Sequence, residues 1–354
     1  MAYYQRELAP NLPPLSARRS LINEYFLSAY TMSIYTGCEL GCPYCDSWVY
    51  SERPLNETIA IPIDLPQRLA AALPAIDRGD LIAISALSDP YQPAEQTYRI
   101  TRQVLQLFAE HGQPCLVMTK SPLVLEDRAL LQKINEQSLA IVVTTLLTLD
   151  QHLAVRLEGR APSPQLRLEM IAELKRAGIP VGVALLPIMP YINDSNLNLR
   201  RVLQACAEAG VDFVVWDYLH IPNERHRHRI NVLLSQLGSY PPRYYRDMYR
   251  DQATVNPFYR QDRDRELLAR CDEVGLASRA PHRIFAGKLS PRNEAALLLR
   301  HAAFRDRVQG RDRLSQLHRE LADAVYRGRF RAADLRQSPL YPTLEPLLGL
   351  SATT

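Results

Sequence analysis

The stretch TMSIYTGCELGCPYCDSW, residues 31–48, carries three of the six cysteines of a 354-residue chain, Cys38, Cys42 and Cys45, within eight positions. Gly41 and Pro43 break helical geometry there, so the segment reads as a loop able to wrap several sulfurs round one centre. Thiolates favour soft metals, which leaves zinc, iron–sulfur or a redox pair. A structural zinc ion wants four protein ligands in a closed tetrahedron, and no further Cys or His stands close in sequence to complete it. Cys115, Cys206 and Cys271 are scattered, two of them in apolar or helical surroundings where buried thiols are common. A disulfide with one spare cysteine suits a reducing compartment poorly. Three sulfurs on a four-iron cluster leave one iron open, and an incomplete shell is the mark of a catalytic metal site. That arrangement fits the spacing best.

Outward from the loop, short apolar runs recur at 31–35, 81–87, 115–119, 139–146, 181–188 and 212–218. They are non-alternating and rich in Ile, Leu and Val, as strands buried on both faces of a parallel sheet should be. Segments of helical periodicity lie between most of them, and Gly79, Gly112, Gly178 and Gly210 stand where a helix would close before the next strand. Six strand–crossover–helix units build either an open partial barrel or a doubly wound sheet, and in both the chemistry lies beyond the C-terminal strand ends. Unusual residues cluster there: the cysteine loop, Ser88-Asp89-Pro90, Thr119-Lys120, Thr144-Thr145, Pro187–Pro190, and Asp217 to His220.

The composition, 47% hydrophobic and 23% charged, is that of a globular protein. No apolar run reaches the roughly 18 residues of a membrane span, and residues 1–20 lack the apolar core of an export signal. The cytoplasm is the expected location. Charge is uneven: 19 Lys+Arg face 24 Asp+Glu in residues 1–225, and 23 face 14 in 226–354, net −5 and +9. A basic C-terminal third is suited to phosphates, although only four of the 42 basic residues are lysines, so arginine-rich composition is the plainer cause. The division expected is a proline-rich arm over 1–20, a core over 21–225 and a mostly helical region over 226–354, with one further strand in SRAPHRIFAG (278–287) and a loosely docked tail.

Cys38-x3-Cys42-x2-Cys45 after the first strand of such a barrel resembles the radical S-adenosylmethionine superfamily. ISALSDPYQPAEQTYRITRQVL, VMTKSPLVLEDRALL, RLEGRAPSPQLRL and GIPVGVALLPIMPYINDS look like its DNA repair photolyase branch, similar to spore photoproduct lyase. The likeness runs from about Arg19 to Ser195. It implies a partial (β/α)6 TIM-type barrel of the α/β class with a mainly helical C-terminal extension. It also implies a 4Fe-4S cluster on the three cysteines and S-adenosyl-L-methionine chelated by the open iron. Reductive cleavage then yields a 5′-deoxyadenosyl radical for hydrogen abstraction. By resemblance Ser88 and Asp89 serve the amino group of the methionine moiety and Lys120 its carboxylate, pairings that carboxylate and ammonium chemistry favours. Thr145, with Thr144, takes a polar role at the fourth strand end, Arg156 is a further cofactor-binding candidate, and Tyr44 contacts adenine. A DNA substrate and an electron donor such as flavodoxin or ferredoxin are the implied partners, with no membrane.

Each assignment has a plainer counterpart. Ser88-Asp89-Pro90 is also a turn and N-cap signal, Lys120 also reads as a surface lysine, and Arg156, Glu158, Arg160 and Arg167 as a solvated helix face. His226 and His228 in RHRHR read as a solvated basic turn, and the tyrosines of PPRYYRDMYRD as packing rather than base stacking. The sequence also departs from spore photoproduct lyases. Their hydrogen-donating cysteine, three residues before the aspartate, is Ala86 here, and the tyrosine following the third cluster cysteine is Asp46, leaving Tyr44 as the remaining catalytic candidate of that relay. An iron–sulfur protein that binds nucleic acid or senses redox state, and a zinc-stapled module, are the competing readings.

Overall fold

Nine strands organise the computed structural model, which describes residues 2–17, 30–49, 54, 56–84, 87–238, 242–250 and 252–350. They are β1 (Ala2–Arg6), β2 (Ser16–Ala17), β3 (Tyr30–Met32), β4 (Thr58–Pro62), β5 (Ile82–Ile84), β6 (Cys115–Met118), β7 (Ala140–Thr145), β8 (Val181–Ile188) and β9 (Phe213–Tyr218). The main sheet has the order β2-β3-β5-β6-β7-β8-β9. β2 runs antiparallel to β3, and the six strands from β3 to β9 are parallel neighbours. Among the described residues β3 and β9 are not paired, so the sheet is the open, partial (β/α)6 barrel expected.

Among the described residues fifteen α-helices surround or follow it. The outer layer is α1 (Leu65–Ala72), α2 (Ala94–Tyr98), α3 (Ile100–His111), α4 (Arg128–Gln137), α5 (Gln151–Glu158), α6 (Pro164–Arg176) and α7 (Asn196–Glu208). The rest are α8 (Glu224–Leu237), α9 (Pro242–Tyr249), α10 (Pro257–Glu273), α11 (His282–Phe285), α12 (Pro291–Val308), α13 (Asp312–Tyr326), α14 (Ala332–Leu335) and α15 (Tyr341–Leu347). Among the described residues no helix is long and apolar enough to cross a membrane.

Strand alternation sorts the core into two layers. One face, with Ile82, Val117, Val142, Val183 and Val214, packs under Val104, Leu131, Ile171 and Val202 of the outer helices. The other, with Ala83, Leu116, Val143, Ala184 and Val215, lines the bore. The lower bore is filled by Ile284, Phe285 and Leu297 of α11 and α12. Gly182 makes room for this packing, because a Cβ there would stand 2.4 Å from the ring of Phe213.

Three sequence expectations shift. SRAPHRIFAG does not form a strand; Ala277 makes one bridge to Phe213, and the chain then turns at Pro281 into α11. The N-terminal arm is not wholly unpacked: β1 pairs in parallel with β4, a strand the sequence reading missed. The tail holds α15, whose Leu344 is fully buried among α12 and α13 residues.

Candidate functional site

The cysteine loop is shaped by its own backbone. Gly41 N–H donates to Cys38 O at 3.2 Å and Cys45 N–H to Cys42 O at 3.1 Å. Gly41 has φ +57°, and an added Cβ would press to 2.8 Å against Asn56, so only glycine makes this turn without strain. Glu39 fixes the loop from below: its carboxylate accepts from Ala94 N–H at 2.7 Å and from the Tyr3 hydroxyl of β1 at 2.8 Å. From above, Trp48 Nε1 donates to Cys42 O at 2.9 Å, and the Arg229 guanidinium of α8 stacks 3.5 Å from the Trp48 ring.

All three thiols are free of disulfides and line one cavity of about 530 Å³ at the C-terminal strand ends. Burial pushes Cys38 up to about 11 and Cys42 to about 12, and it raises Cys45 as well. A coordinating metal overrides such shifts, because it deprotonates the thiol outright. Among the described residues no three His, Cys, Asp or Glu side chains gather closely enough to hold a single metal ion. A four-iron cluster gives each thiolate its own iron and needs no such convergence, so the donor set fits a cluster held by three sulfurs.

Ser88, Asp89, Lys120 and Thr145 line the same cavity as the cysteines. Asp89 is also a structural tie: it accepts from the Thr119 hydroxyl at 2.6 Å and from the N–H groups of Tyr91 and Lys120, both at 2.9 Å. The bonds from Thr119 and Lys120 join the exits of β5 and β6, and the one from Tyr91 closes the local turn, so the turn signal and the site reading describe one residue. Ser88 Oγ donates to Tyr35 O at 2.8 Å. Burial pushes the Lys120 ammonium down, but Cys42 and Glu158 outweigh it and hold it above its ordinary value.

Two residues were missed at the centre of this network. Glu158, 4% exposed, accepts from the Tyr44 hydroxyl, stands 3.7 Å from Lys120 Nζ and pairs with Arg167 Nη1 at 2.6 Å. Arg167, 1% exposed, also donates to Thr145 O and Pro162 O, each at 2.9 Å. What read as a solvated helix face therefore turns two of its members into the interior. Their signal was not periodicity, since α5 ends at Glu158 and Arg167 belongs to α6.

Other candidates fall elsewhere. Thr144 precedes Thr145 on a strand, so it faces the helix layer and is not part of the cavity lining; its Oγ1 is buried without a partner among the described residues. Arg156 is exposed on α5 and bonds Gln236 O at the end of α8, outside the cavity. Asp46 lines the cavity, and Ala86 lies outside the described residues. His226 does not sit in a solvated turn: it is buried on α8 and its Nε2 meets Tyr44 O at 3.2 Å. Burial lowers its pKa.

Residues 32–203 match the family model described as the radical SAM superfamily. An uncharacterised protein of Mycobacterium tuberculosis is 27% identical over 285 residues, 76% of this chain and 79% of that one. A protein of Pseudomonas phage M6 named radical SAM Nalpha-GlyT isomerase is 22% identical over 284 residues, 75% of this chain and 58% of that one. Among solved structures, a spore photoproduct lyase point mutant superposes with a TM-score of 0.52 at 11% identity, over 73% of this chain and 78% of that one.

Proposed function

We propose that this chain, whose segment 32–203 matches the radical SAM superfamily, is a radical enzyme that cleaves S-adenosyl-L-methionine to abstract hydrogen from a nucleic-acid substrate. The observation that carries the reading is the shared cavity: three free thiols line it together with an acid and a cation, Asp89 and Lys120, at adjacent strand ends. Cys38, Cys42 and Cys45 would hold the 4Fe-4S cluster. Together with S-adenosyl-L-methionine, the bound cluster supplies reductive cleavage of the sulfonium and a 5′-deoxyadenosyl radical.

The chain's own part is binding, orientation and exclusion of water. Asp89 keeps one acceptor site, on Oδ2, for an ammonium beyond its three structural bonds. Lys120, held cationic by Glu158, is placed to receive a carboxylate. Ser88 and Thr145 supply hydroxyls at neighbouring strand ends. The Tyr44 ring is pinned by Glu158 through its hydroxyl, which suits it to contact adenine, and it is the catalytic candidate. Ala86 offers no S–H and Asp46 no phenol, so hydrogen return follows another route than in spore photoproduct lyase. A flavodoxin- or ferredoxin-type donor in the cytoplasm would deliver the electron.

The test is anaerobic reconstitution with iron and sulfide, reduction by dithionite with S-adenosyl-L-methionine, and assay of 5′-deoxyadenosine. We expect product from the intact chain and none after alanine replacement of Cys38, Cys42 and Cys45. Iron binding without cleavage, with or without DNA, would overturn the radical reading in favour of a sensor. Zinc alone would overturn the cluster.

A further inference from the structure

The turn leaving β8 carries Tyr191 at φ +65°. A bulky side chain seldom adopts this left-handed conformation, and such outliers persist where surrounding structure enforces them, often at functional sites. The enforcement is visible. Asn193 Oδ1 accepts from Met189 N–H at 2.7 Å, Asn193 Nδ2 donates to Pro187 O at 3.1 Å, and the Tyr259 hydroxyl donates to Asp194 at 2.5 Å. Yet the ring so held is 41% exposed. It meets Tyr244 of α9, 37% exposed, with centroids 5.8 Å apart and planes at 50°. The Arg243 guanidinium lies 5.3 Å from the Tyr244 centroid, within cation–π range.

The same helix shows what its tyrosines do when they serve packing. Tyr245 and Tyr249 are buried and stacked 5.6 Å apart, and their hydroxyls donate to Pro190 O at 2.9 Å and Leu219 O at 2.8 Å. These bonds seat α9 on the exit loops of β8 and β9, next to Pro187 at the end of β8 and Leu219 after β9, which line the cavity. Tyr244 and Tyr191 are therefore presented on the rim of the site by a rigid mount. Along α9 and just beyond it Arg243, Arg246 and Arg250 are exposed, as is Asp247, in a C-terminal region of net charge +9.

We infer that Tyr191, Tyr244 and Arg243 form a stacking platform for a base of single-stranded DNA beside the reacting nucleotide, with the neighbouring arginines on its phosphates. This rests on the nucleic-acid reading above and gives it a location. Flat aromatic faces flanked by guanidinium groups match the alternation of base and phosphate along a single strand. An acidic peptide would satisfy the arginines and leave the ring faces unused.

The experiment is fluorescence anisotropy of a labelled single-stranded oligonucleotide against the reconstituted full chain, with 5′-deoxyadenosine formation in dithionite measured in parallel. Tyr244→Ala is expected to weaken binding roughly five- to a hundredfold while Tyr244→Phe binds like the parent. An oligonucleotide of abasic spacers should not distinguish parent from Tyr244→Ala. Cleavage of S-adenosyl-L-methionine without DNA should be unchanged in all three proteins, because Tyr244 lies outside the cavity lining. Equal affinity for the normal oligonucleotide in the parent and in the double variant Tyr191→Gly/Tyr244→Ala would overturn the platform. So would a parent that binds an acidic peptide and no oligonucleotide. Base-dependent binding that Tyr244→Ala removes, in a protein that makes no 5′-deoxyadenosine, would support the platform and sink the radical reading alone.

Discussion

The Tyr44 hydroxyl, between two cysteines of the loop, donates to Glu158, a residue 114 positions later at the end of α5. The loop is thereby fastened to the carboxylate that also faces Lys120 and Arg167. Removing that carboxylate leaves Arg167 a buried cation with only carbonyl partners. Glu158→Ala should therefore lower unfolding free energy by about 3 kcal/mol, the low end for breaking a buried pair. Tyr44→Phe, which deletes one charge-assisted bond, should cost about 1.5–3 kcal/mol. Denaturant unfolding of the metal-free chain measures both, and an indifferent Glu158→Ala would show that the pair does not hold the loop.

Lys120→Met removes the cation assigned to the methionine carboxylate. Losing a hydrogen bond to a charged group costs about 1.5–3 kcal/mol, so affinity for S-adenosyl-L-methionine should fall roughly ten- to a hundredfold. Calorimetric titration of reconstituted protein reads this without turnover. Undiminished affinity would remove Lys120 from the site.

The two threonines closing β7 should part company. Thr144→Val deletes a buried hydroxyl that has no partner among the described residues and should be neutral or raise stability by about 1 kcal/mol, with cofactor affinity unchanged. Thr145→Val changes the cavity wall and should weaken S-adenosyl-L-methionine binding. If Thr144→Val alone weakened it, the strand would present the other face to the cofactor.

His301 on α12 is pushed down to about 3 by burial, with Arg279 and Arg300 adding to the effect. It stays neutral in the folded chain, while the unfolded chain takes up a proton near its ordinary 6.5. More protons bound in the unfolded state means stability is full above pH 6.5 and lost as pH falls from there toward 3. The loss attributable to this ring is about 1.4 kcal/mol per pH unit. A His301→Leu variant should show a shallower acid slope in urea titrations between pH 6.5 and 5; an unchanged slope would mean the ring is already protonated when folded.

Much of the barrel could be read from sequence because buried parallel strands leave continuous apolar runs and their connecting helices keep a 3.6 period. Gly112, Gly178 and Gly210 are left-handed as expected after α3, α6 and α7, whereas Gly79 is not; it leaves space against Ser290. The strand-end clustering found Asp89, Lys120 and Thr145 because position along a strand is written in the chain. Glu158 and Arg167 escaped it, since their partners come from other elements and only the folded chain brings them together. Parity separated Thr145 from Thr144, a distinction available in the sequence once the bore face was chosen. The platform tyrosines stayed ambiguous because helix α9 buries Tyr245 and Tyr249 but exposes Tyr244, and which members are buried depends on the loops beneath it.

The stopper of the lower bore also bears on how this protein is made. The last barrel strand ends at Tyr218, but the side chains that fill the bore, Ile284, Phe285 and Leu297, leave the ribosome only after α8, α9 and α10. Until then a nascent barrel presents an unfilled apolar channel, the kind of transient surface that recruits chaperones or aggregates. Chains cut between α10 and α11 should accordingly collect in inclusion bodies even though they retain all three cysteines and every strand-end residue of the cavity.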